Sequence, residues 1–331
     1  MHAVPDPFDH PQDTAEFRRP AHRPGVELYR AHIVRHAFEP HTHEAFGFGT
    51  IDAGVERFRY RGTEHLAPAD TLVRMNPDEL HTGRAETSAG WRYRMLYLDA
   101  EVLEQLSGER GWWFADALDH DAGRARRVSR LLRQLWHAVE CASTGTFAGA
   151  HAHGHSHAHA HADAHSDSDA DADADTEANA AGLAPGSVSE AALAFDGVLL
   201  RLVDELRPGA RVAQPARSEG LVRFAPVLEH LRANLSQRIT LDELAGVAGL
   251  SPFHFLRQFR RAHHATPQQM LMALRLFEAK RLLGVGEAPA QVAAAVGLTD
   301  QAHLTRTFAN RYGVTPARYQ QQLGTRPARR T

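Results

Sequence analysis

The chain of 331 residues is long enough for two domains that each bury a core of their own. Hydrophobic residues make up 43% of it, yet no stretch reaches the roughly 18 uninterrupted apolar residues of a membrane helix, and the single cysteine, Cys141, excludes an internal disulfide or a cysteine-based zinc module. The net charge of −3 is unevenly distributed: residues 220–331 carry 15 Arg and Lys against 6 Asp and Glu, which is typical of a domain that binds a polyanion.

The N-terminal segment is polar and lacks the basic start and apolar run of a secretory signal, so we expect a flexible tail at 1–22 and a cytoplasmic location. From residue 26 to 98, apolar and polar residues alternate with the two-residue period of antiparallel strands. In the segment VERFRYRG, for example, Phe58 and Tyr60 fall on one face and the arginines on the other. We therefore expect a β-sandwich or barrel that, with the start of a helical flank, occupies residues 23–143.

Two amphipathic helices are predicted after the strands. The segment RARRVSRLLRQLWHAVE places Val128, Leu132 and Leu135 on one stripe, and a second stripe within 188–210 contains Leu202. The two helices could cover a flank of the β-domain or pair between two subunits, and the sequence leaves both arrangements open.

Between these helices, residues 144–187 form an insert that is rich in His, Asp and Ala and contains no Lys or Arg. Because it has almost no large apolar residues, it cannot offset the entropy cost of ordering, and we expect it to be disordered. Its histidines are potential ligands for Zn²⁺, Ni²⁺ or Cu²⁺, but alternating His and Ala give no fixed geometry, which favours a linker. These histidines are His151, His153, His155, His157, His159, His161 and His165.

Residues 220–322 contain an internal repeat. In each copy an apolar run with an alanine and a glycine leads to an Arg-x-Phe pair and then to Thr-Pro; the first copy has Ala245 and Gly249, the second Ala293 and Gly297. The small alanines let two helices cross closely, and the glycines permit the positive φ of a tight turn. The repeat therefore predicts two helix-turn-helix units.

The starts of several helices in this region are also predicted by the sequence. Thr240 and Thr266 each begin a capping box, and Pro252 and Pro267 suit the first position of a helix. A connecting helix is predicted between the two units. We expect a linker before the region and a basic tail after it, at 211–219 and 323–331.

The region resembles the DNA-binding domain of the AraC/XylS family, whose signature survives in RLFEAKRLL and in GLTDQAHLTRTFANRYGVTPARY. The resemblance implies that the second helix of each unit enters a major groove, where arginine can pair with guanine and glutamine with adenine. Other side chains are expected to position the protein on phosphates. His264 departs from the family, which usually has glycine there. The predicted DNA-contacting residues are Phe253, Leu256, Arg257, Arg260, Arg261, Gln301, Ala302, His303, Thr305, Arg306 and Arg311.

The N-terminal segments HTHEAFGFGTIDAG and LAPADTLVRMNPDELH resemble the cupin-like ligand-binding domain that precedes this DNA-binding domain in the same family. Three histidines occupy positions that carry metal in enzymatic cupins, but Gly47 and Phe48 stand where such enzymes have a glutamate. We therefore expect the histidines to line an organic-ligand pocket and expect neither a metal there nor an enzymatic activity. The candidate pocket residues are His41, His43, Arg57, Arg59, His81, Trp91 and Tyr93.

These expectations describe an α+β chain of two domains, a cupin-like β-barrel with flanking helices and an all-α double helix-turn-helix. The predicted function is that of a sequence-specific transcriptional regulator, an activator by family, that is controlled by a small-molecule effector and needs no cofactor. We expect its partners to be promoter DNA, a second copy of the chain and RNA polymerase, at the bacterial nucleoid. Two alternatives stay open: a metal-responsive regulator that uses the His-rich insert, and a cupin metalloenzyme fused to a DNA-binding domain.

Overall fold

The structure is a computed structural model that describes residues 12–144, 190–212 and 222–325. The predictions for residues 1–11 of the flexible tail and for most of the His-rich insert, the linker and the basic tail therefore lie outside the described residues.

The N-terminal domain is built from antiparallel strands around one long strand. That strand, β4, pairs over its first part with β6 and β8 and over its second part with β5 and β7, after a register shift between Ile51 and Ala53. Two neighbouring sheets thus share β4 and form a barrel-like domain, as predicted. The strands are β1 (Thr14–Arg18), β2 (Val26–Ile33), β3 (Ala37–His41), β4 (Phe46–Tyr60), β5 (Thr63–Pro68), β6 (Leu72–Met75), β7 (His81–Ala85), β8 (Trp91–Leu98) and β9 (Leu118–Asp119).

Strand β1 corrects the prediction of a flexible tail at 1–22. It pairs antiparallel with β2 from Thr14 opposite His32 to Arg18 opposite Leu28, and Phe17 is buried between the domains. The signal was present, since Ala15 and Phe17 alternate with polar residues, but the segment was interpreted as part of a polar tail.

Both faces of the central strands are buried, in two separate cores. Along β8, Trp91, Tyr93 and Met95 face the barrel interior, whereas Leu96 and Leu98 face the flanking helices. These helices are α1 (Ala100–Ser107), α2 (Ala122–Thr144) and α3 (Glu190–Leu206). The apolar stripes of α2 and α3 pack on each other and on the sheet, so of the two arrangements left open by the sequence, covering the flank is the one observed.

The C-terminal domain is helical and follows the predicted repeat. Helices α5 and α6 form the first helix-turn-helix unit, α8 and α9 form the second, and α7 connects them. Gly249 and Gly297 have φ values of 63° and 71°, and both predicted capping boxes are present. The helices are α4 (Ala225–Ala233), α5 (Leu241–Val247), α6 (Pro252–His263), α7 (Pro267–Gly284), α8 (Pro289–Ala295), α9 (Gln301–Tyr312) and α10 (Pro316–Leu323).

The two helix-turn-helix units differ in what surrounds their cores. The first unit packs with α4 around Phe224, Phe255 and Phe259 in a core of its own. The second unit, around Leu304 and Phe308, belongs to the same continuous core as the barrel interior. The second unit is therefore packed against the β-domain. No helix among the described residues is long and apolar enough to cross a membrane.

Candidate functional site at the barrel mouth and on helices α6 and α9

Three buried histidines meet at one end of the barrel. His41 ends β3 and lies directly opposite His81, the first residue of β7, while His43 follows two residues after His41. The ring centroids of His41 and His81 are 4.1 Å apart, and that of His43 lies 5.1 Å from His41 and 5.2 Å from His81. The prediction that the three histidines share one pocket is consistent with this arrangement.

The surroundings of these rings keep them neutral. Burial lowers the pKa of all three, and the charge of the nearby Arg311 guanidinium acts in the same direction; together these effects lower the pKa of His81 to about 4. Nδ1 of His41 lies 2.8 Å from the carbonyl oxygen of Glu39, and Nδ1 of His81 lies 3.0 Å from that of Glu79. A carbonyl only accepts, so each Nδ1 carries the proton and each Nε2 keeps a free lone pair.

The histidines line a small, mostly aromatic cavity inside the barrel. Its volume is about 40 Å³, which is room for about three water molecules. Among the described residues that line it, Glu56 is the one carboxylic acid, and burial raises the pKa of this group to about 8, so it is mostly protonated at neutral pH. Among the other lining residues are Phe17, Tyr29, Phe38, Met75, Tyr93, Met95 and Tyr97.

The C-terminal domain supplies the last wall of this cavity. Arg311 and Tyr312, at the C-terminal end of α9, line it together with the histidines. The guanidinium of Arg311 donates from Nη2 to the carbonyl oxygen of Pro40, and the residue is 3% exposed. Within the described parts of the chain, its Nε and Nη1 and the hydroxyl of Tyr312 are buried without a hydrogen-bond partner. The cavity thus presents unused donors from one domain and histidine lone pairs from the other.

A buried ion pair joins the two domains beside this cavity. Lys280 of α7 pairs with Glu27 of β2, and Glu27 also accepts hydrogen bonds from the hydroxyl of Tyr319 at 2.9 Å and from Arg19 at 2.9 Å. Burial alone would raise the pKa of Glu27, but the charges of Lys280 and Arg19 hold it below its usual range. The Lys280 ammonium lies 4.6 Å from the ring centroid of Phe17, within cation–π distance.

A second and larger space lies between the β-domain and the first helix-turn-helix unit. This cleft has a volume of about 800 Å³ and includes Trp112 and Trp113 on one side and Met270 and Leu274 on the other. It is the size of a small-molecule pocket, about 300–1,000 Å³, whereas the barrel cavity is far smaller.

Helix α6 exposes the side chains predicted to contact DNA in the first unit. Phe253 is 72% exposed, the guanidinium of Arg257 lies over its ring, and Leu256 is half-buried beside them. Arg260 and Arg261 are exposed farther along the helix. His264, in place of the usual glycine, ends α6 in the left-handed conformation at a φ of 55°. An unpaired apolar and cationic face is thus available for a partner.

Helix α9 exposes the corresponding N-terminal half but not its C-terminal end. Gln301, Ala302 and Arg306 are exposed, and His303 and Thr305 are half-buried. Arg311 corrects the prediction of a phosphate contact, because in this arrangement its guanidinium is buried in the barrel mouth instead. We call α6 and α9 the reading helices below.

Three of the predicted pocket residues, Arg57, Arg59 and Trp91, do not line the cavity. Arg57 faces away from the cavity and pairs with Glu86 and Glu64 on the outer side of the sheet, and Arg59 is exposed on the same side. The physical reason is the two-residue period, which places them opposite Phe58. Trp91 is buried in the barrel core, stacked on Tyr93.

Sequence reasoning missed several residues that build the site. Glu56 shares the inward parity of Phe58, so the alternation did contain the signal for it. Arg311, Tyr312 and Lys280 carry no such signal, because the contact between the domains joins residues that are far apart in the sequence.

Comparisons with known proteins match both parts of the chain. Residues 23–160 match the model of the AraC-like ligand binding domain, and residues 244–322 match that of a helix-turn-helix domain. An uncharacterized HTH-type transcriptional regulator, YbfI of Bacillus subtilis, is 34% identical over 78 residues, 24% of this chain and 28% of the relative. The MmsAB operon regulatory protein of Pseudomonas aeruginosa is 30% identical over 106 residues, 32% of this chain and 34% of the relative.

The match thus spans only about a third of the length of these curated relatives. Among solved structures, an apo ToxT variant from Vibrio cholerae strain SCE256 is similar at a TM-score of 0.50 and 8% identity, covering 91% of this chain and 98% of that one. At this identity the likeness concerns the fold, a β-domain followed by a helical domain.

Proposed function

Because the chain belongs to the AraC/XylS family of transcriptional regulators, we propose that it binds promoter DNA through its two helix-turn-helix units under the control of a small-molecule effector. The observation that carries this proposal is that helix α9 contributes to two surfaces. Its N-terminal half exposes Gln301 and Arg306, while its C-terminal end closes the barrel mouth with Arg311 and Tyr312. One rigid helix thus links the DNA-facing surface to the ligand-binding domain.

In this proposal the reading helices contact successive major grooves. The connecting helix α7 has 18 residues, which corresponds to a length of about 27 Å. With the helix-turn-helix bodies at its ends, a spacing near the roughly 34 Å of one DNA turn is within reach. Arg257 and Arg306 hold equivalent places in the repeat and are assigned to base edges, and Arg260 and Arg261 to phosphates.

The barrel cavity is too small for an organic effector in the observed arrangement of the two domains. A cavity of about 40 Å³ is far below the roughly 300 Å³ of the smallest usual ligand pockets. An organic effector can enter the barrel only if the end of α9 withdraws or the aromatic lining rearranges. The effector therefore binds one arrangement of the two domains better than the other, which is the condition for shifting the equilibrium between them.

The cleft of about 800 Å³ is the second possible place for an effector. An effector bound there would touch the β-domain and the first unit, and it would bias their relative position by the same thermodynamic rule. Substitutions distinguish the two places, because Tyr93 lies only in the barrel lining and Trp113 only in the cleft.

We extend the proposal to the partners and role that the family suggests. The chain acts as a homodimeric activator that contacts RNA polymerase at the nucleoid in the cytoplasm, has no catalytic activity and uses the His-rich insert as a linker. Leu132 of α2 and Leu202 of α3 are buried within one chain, so a dimer must use other side chains. A monomeric mass at micromolar concentration, with and without DNA, would contradict the dimer.

The test uses the full chain and two measurements. Thermal unfolding against a panel of metabolites identifies binders, because a ligand of the folded state raises the midpoint. Fluorescence anisotropy with a duplex selected from a random library then measures DNA affinity with and without each binder. We expect at least one binder to change the affinity severalfold. Failure to bind DNA at low salt contradicts the DNA-binding function, and stabilisation by binders that all leave DNA affinity unchanged contradicts the coupling.

A further inference from the structure

The three histidines at the barrel mouth are arranged as a set of metal ligands. Each of His41, His43 and His81 offers one ring nitrogen, and these three atoms lie within 4.8 Å of one another. We propose that His41, His43 and His81 bind one divalent transition-metal ion of the Zn²⁺ type. Two nitrogens on a tetrahedral zinc ion lie about 3.4 Å apart, given Zn–N bonds of about 2.05 Å, so only small side-chain rotations are needed.

The second shell of the site suits a metal. The Nδ1 atoms of His41 and His81 donate to the carbonyl oxygens of Glu39 and Glu79, which fixes both rings and leaves Nε2 as the ligand atom. A backbone carbonyl in this place is the usual outer partner of a metal-bound histidine. His43 adds a buried Nε2 with no hydrogen-bond partner among the described residues. Burial of an unpaired polar atom is costly, and a metal ion removes that cost.

The space available also favours an ion over an organic molecule. The cavity of about 40 Å³ has room for an ion and one or two waters. A metabolite pocket usually has at least roughly 300 Å³, several times this volume. Three protein ligands leave a fourth position open, as in metal sites that bind an exchangeable water or ligand.

The charges around the site set its strength. Arg311 faces the histidines, and its positive charge weakens the binding of a metal ion there. The carboxyl group of Glu56 in the same cavity can ionise and offset the metal charge. No carboxylate belongs to the ligand set itself, which is all imidazole and therefore suits Zn²⁺, Cu²⁺, Ni²⁺ or Co²⁺ over Mg²⁺ or Ca²⁺.

The experiment must separate this site from the seven histidines of the insert. We use the full chain without an affinity tag, with the insert histidines replaced by serine, as the background protein. Zn²⁺ binding is measured by calorimetry, and Co²⁺ by the visible absorption of tetrahedral cobalt. We expect one equivalent of either ion and a raised unfolding midpoint with Zn²⁺.

Three variants of the background protein localise the ion. His81→Gln removes one ligand and is expected to weaken Zn²⁺ binding by more than about tenfold. Even the loss of a hydrogen-bond partner behind a ligand usually weakens metal binding by at least about tenfold. His43→Cys keeps a ligand at that position and is expected to retain the ion while adding the sulfur-to-cobalt absorption. His120→Gln, an exposed histidine outside the cavity, is the matched control and is expected to bind as the background does.

The outcomes are distinct from those that test DNA binding. Loss in His81→Gln with retention in His43→Cys, in proteins whose metal-free unfolding midpoints match the background, establishes the site. No stoichiometric binding in the background protein overturns the proposal, and so does binding that survives replacement of all three cavity histidines. Either of these leaves the cavity histidines as lining for an organic effector.

Discussion

The substitution Lys280→Met tests how strongly the two domains are held together. The side chain of Lys280 is 8% exposed, and its ammonium pairs with the buried carboxylate of Glu27. Methionine keeps the length and apolar stem of the side chain among the surrounding aromatic rings but removes the charge. The variant therefore leaves Glu27 buried with Arg19 and Tyr319 as its remaining partners.

The magnitude follows from burial and from those partners. Breaking a buried ion pair by removing one partner costs about 3–5 kcal/mol. Arg19 still neutralises part of the charge of Glu27, so we expect the lower end of this range, about 3 kcal/mol. The loss is not smaller than this, because Arg19 is 39% exposed and its charge is partly screened by solvent. The double variant Lys280→Met with Glu27→Gln no longer buries a bare carboxylate and should recover at least about 1 kcal/mol of this loss.

The assay is urea unfolding followed by two probes. All four tryptophans lie in the N-terminal domain, so their fluorescence reports on that domain. Far-ultraviolet circular dichroism follows the helices, and seven of the ten described α-helices belong to the C-terminal domain. We expect coincident transitions for the wild type, and for Lys280→Met an earlier transition by circular dichroism.

The adjacent residue provides the control. Arg281 pairs with Glu278 on the exposed side of α7, and such surface pairs contribute less than about 1 kcal/mol. If Lys280→Met and Arg281→Met shift the transitions equally, or if Lys280→Met leaves them unchanged, the interpretation of Lys280 as an interdomain lock is wrong.

Two further predictions concern salt and pH. The affinity of the full chain for duplex DNA should fall at least about a hundredfold between about 50 and about 200 mM salt, and Arg260→Ala should reduce the salt slope by about 1; a flat dependence would contradict phosphate binding by the basic domain. Because the pKa of Glu56 is raised from 4.5 to about 8 in the folded state, its contribution to the free energy of unfolding declines as pH rises from 4.5 to about 8. Glu56→Gln should remove this component whereas Glu64→Gln, on the exposed side, should not, as denaturant unfolding across that range will check.

The features that the sequence predicted well are those set by local rules. The capping boxes at Thr240 and Thr266 depend on residues three positions apart, and both are present. The turns at Gly249 and Gly297 depend on a single backbone angle. Because these local signals occur in both copies of the repeat, the sequence was enough to predict the two helix-turn-helix units.

The pocket was predicted only in part, although its signal was present. The alternation around Phe58 already placed Arg57 and Arg59 on the outer side of β4 and Glu56 on the inner side. The histidines were found because their spacing resembles a known motif.

The contact between the domains was out of reach of sequence reasoning. Glu27 and Lys280 are 253 residues apart, and neither lies in a motif that points to the other. Arg311 sits on a reading helix, where an arginine suggests a DNA contact, and only the packing of α9 on β3 reveals its place in the barrel mouth. Such contacts depend on how two folded domains pack against each other.

The central claim, that two separate helices read DNA, is tested most directly by selecting duplexes from a random library with the wild-type chain and with Arg257→Ala and Arg306→Ala. The account predicts a motif of two half-sites about one turn apart for the wild type, with each variant losing base preference, by about 1–3 kcal/mol, in a different half-site. Loss of preference at the same base pairs in both variants, or an equal loss of specific and non-specific binding in either, would contradict it.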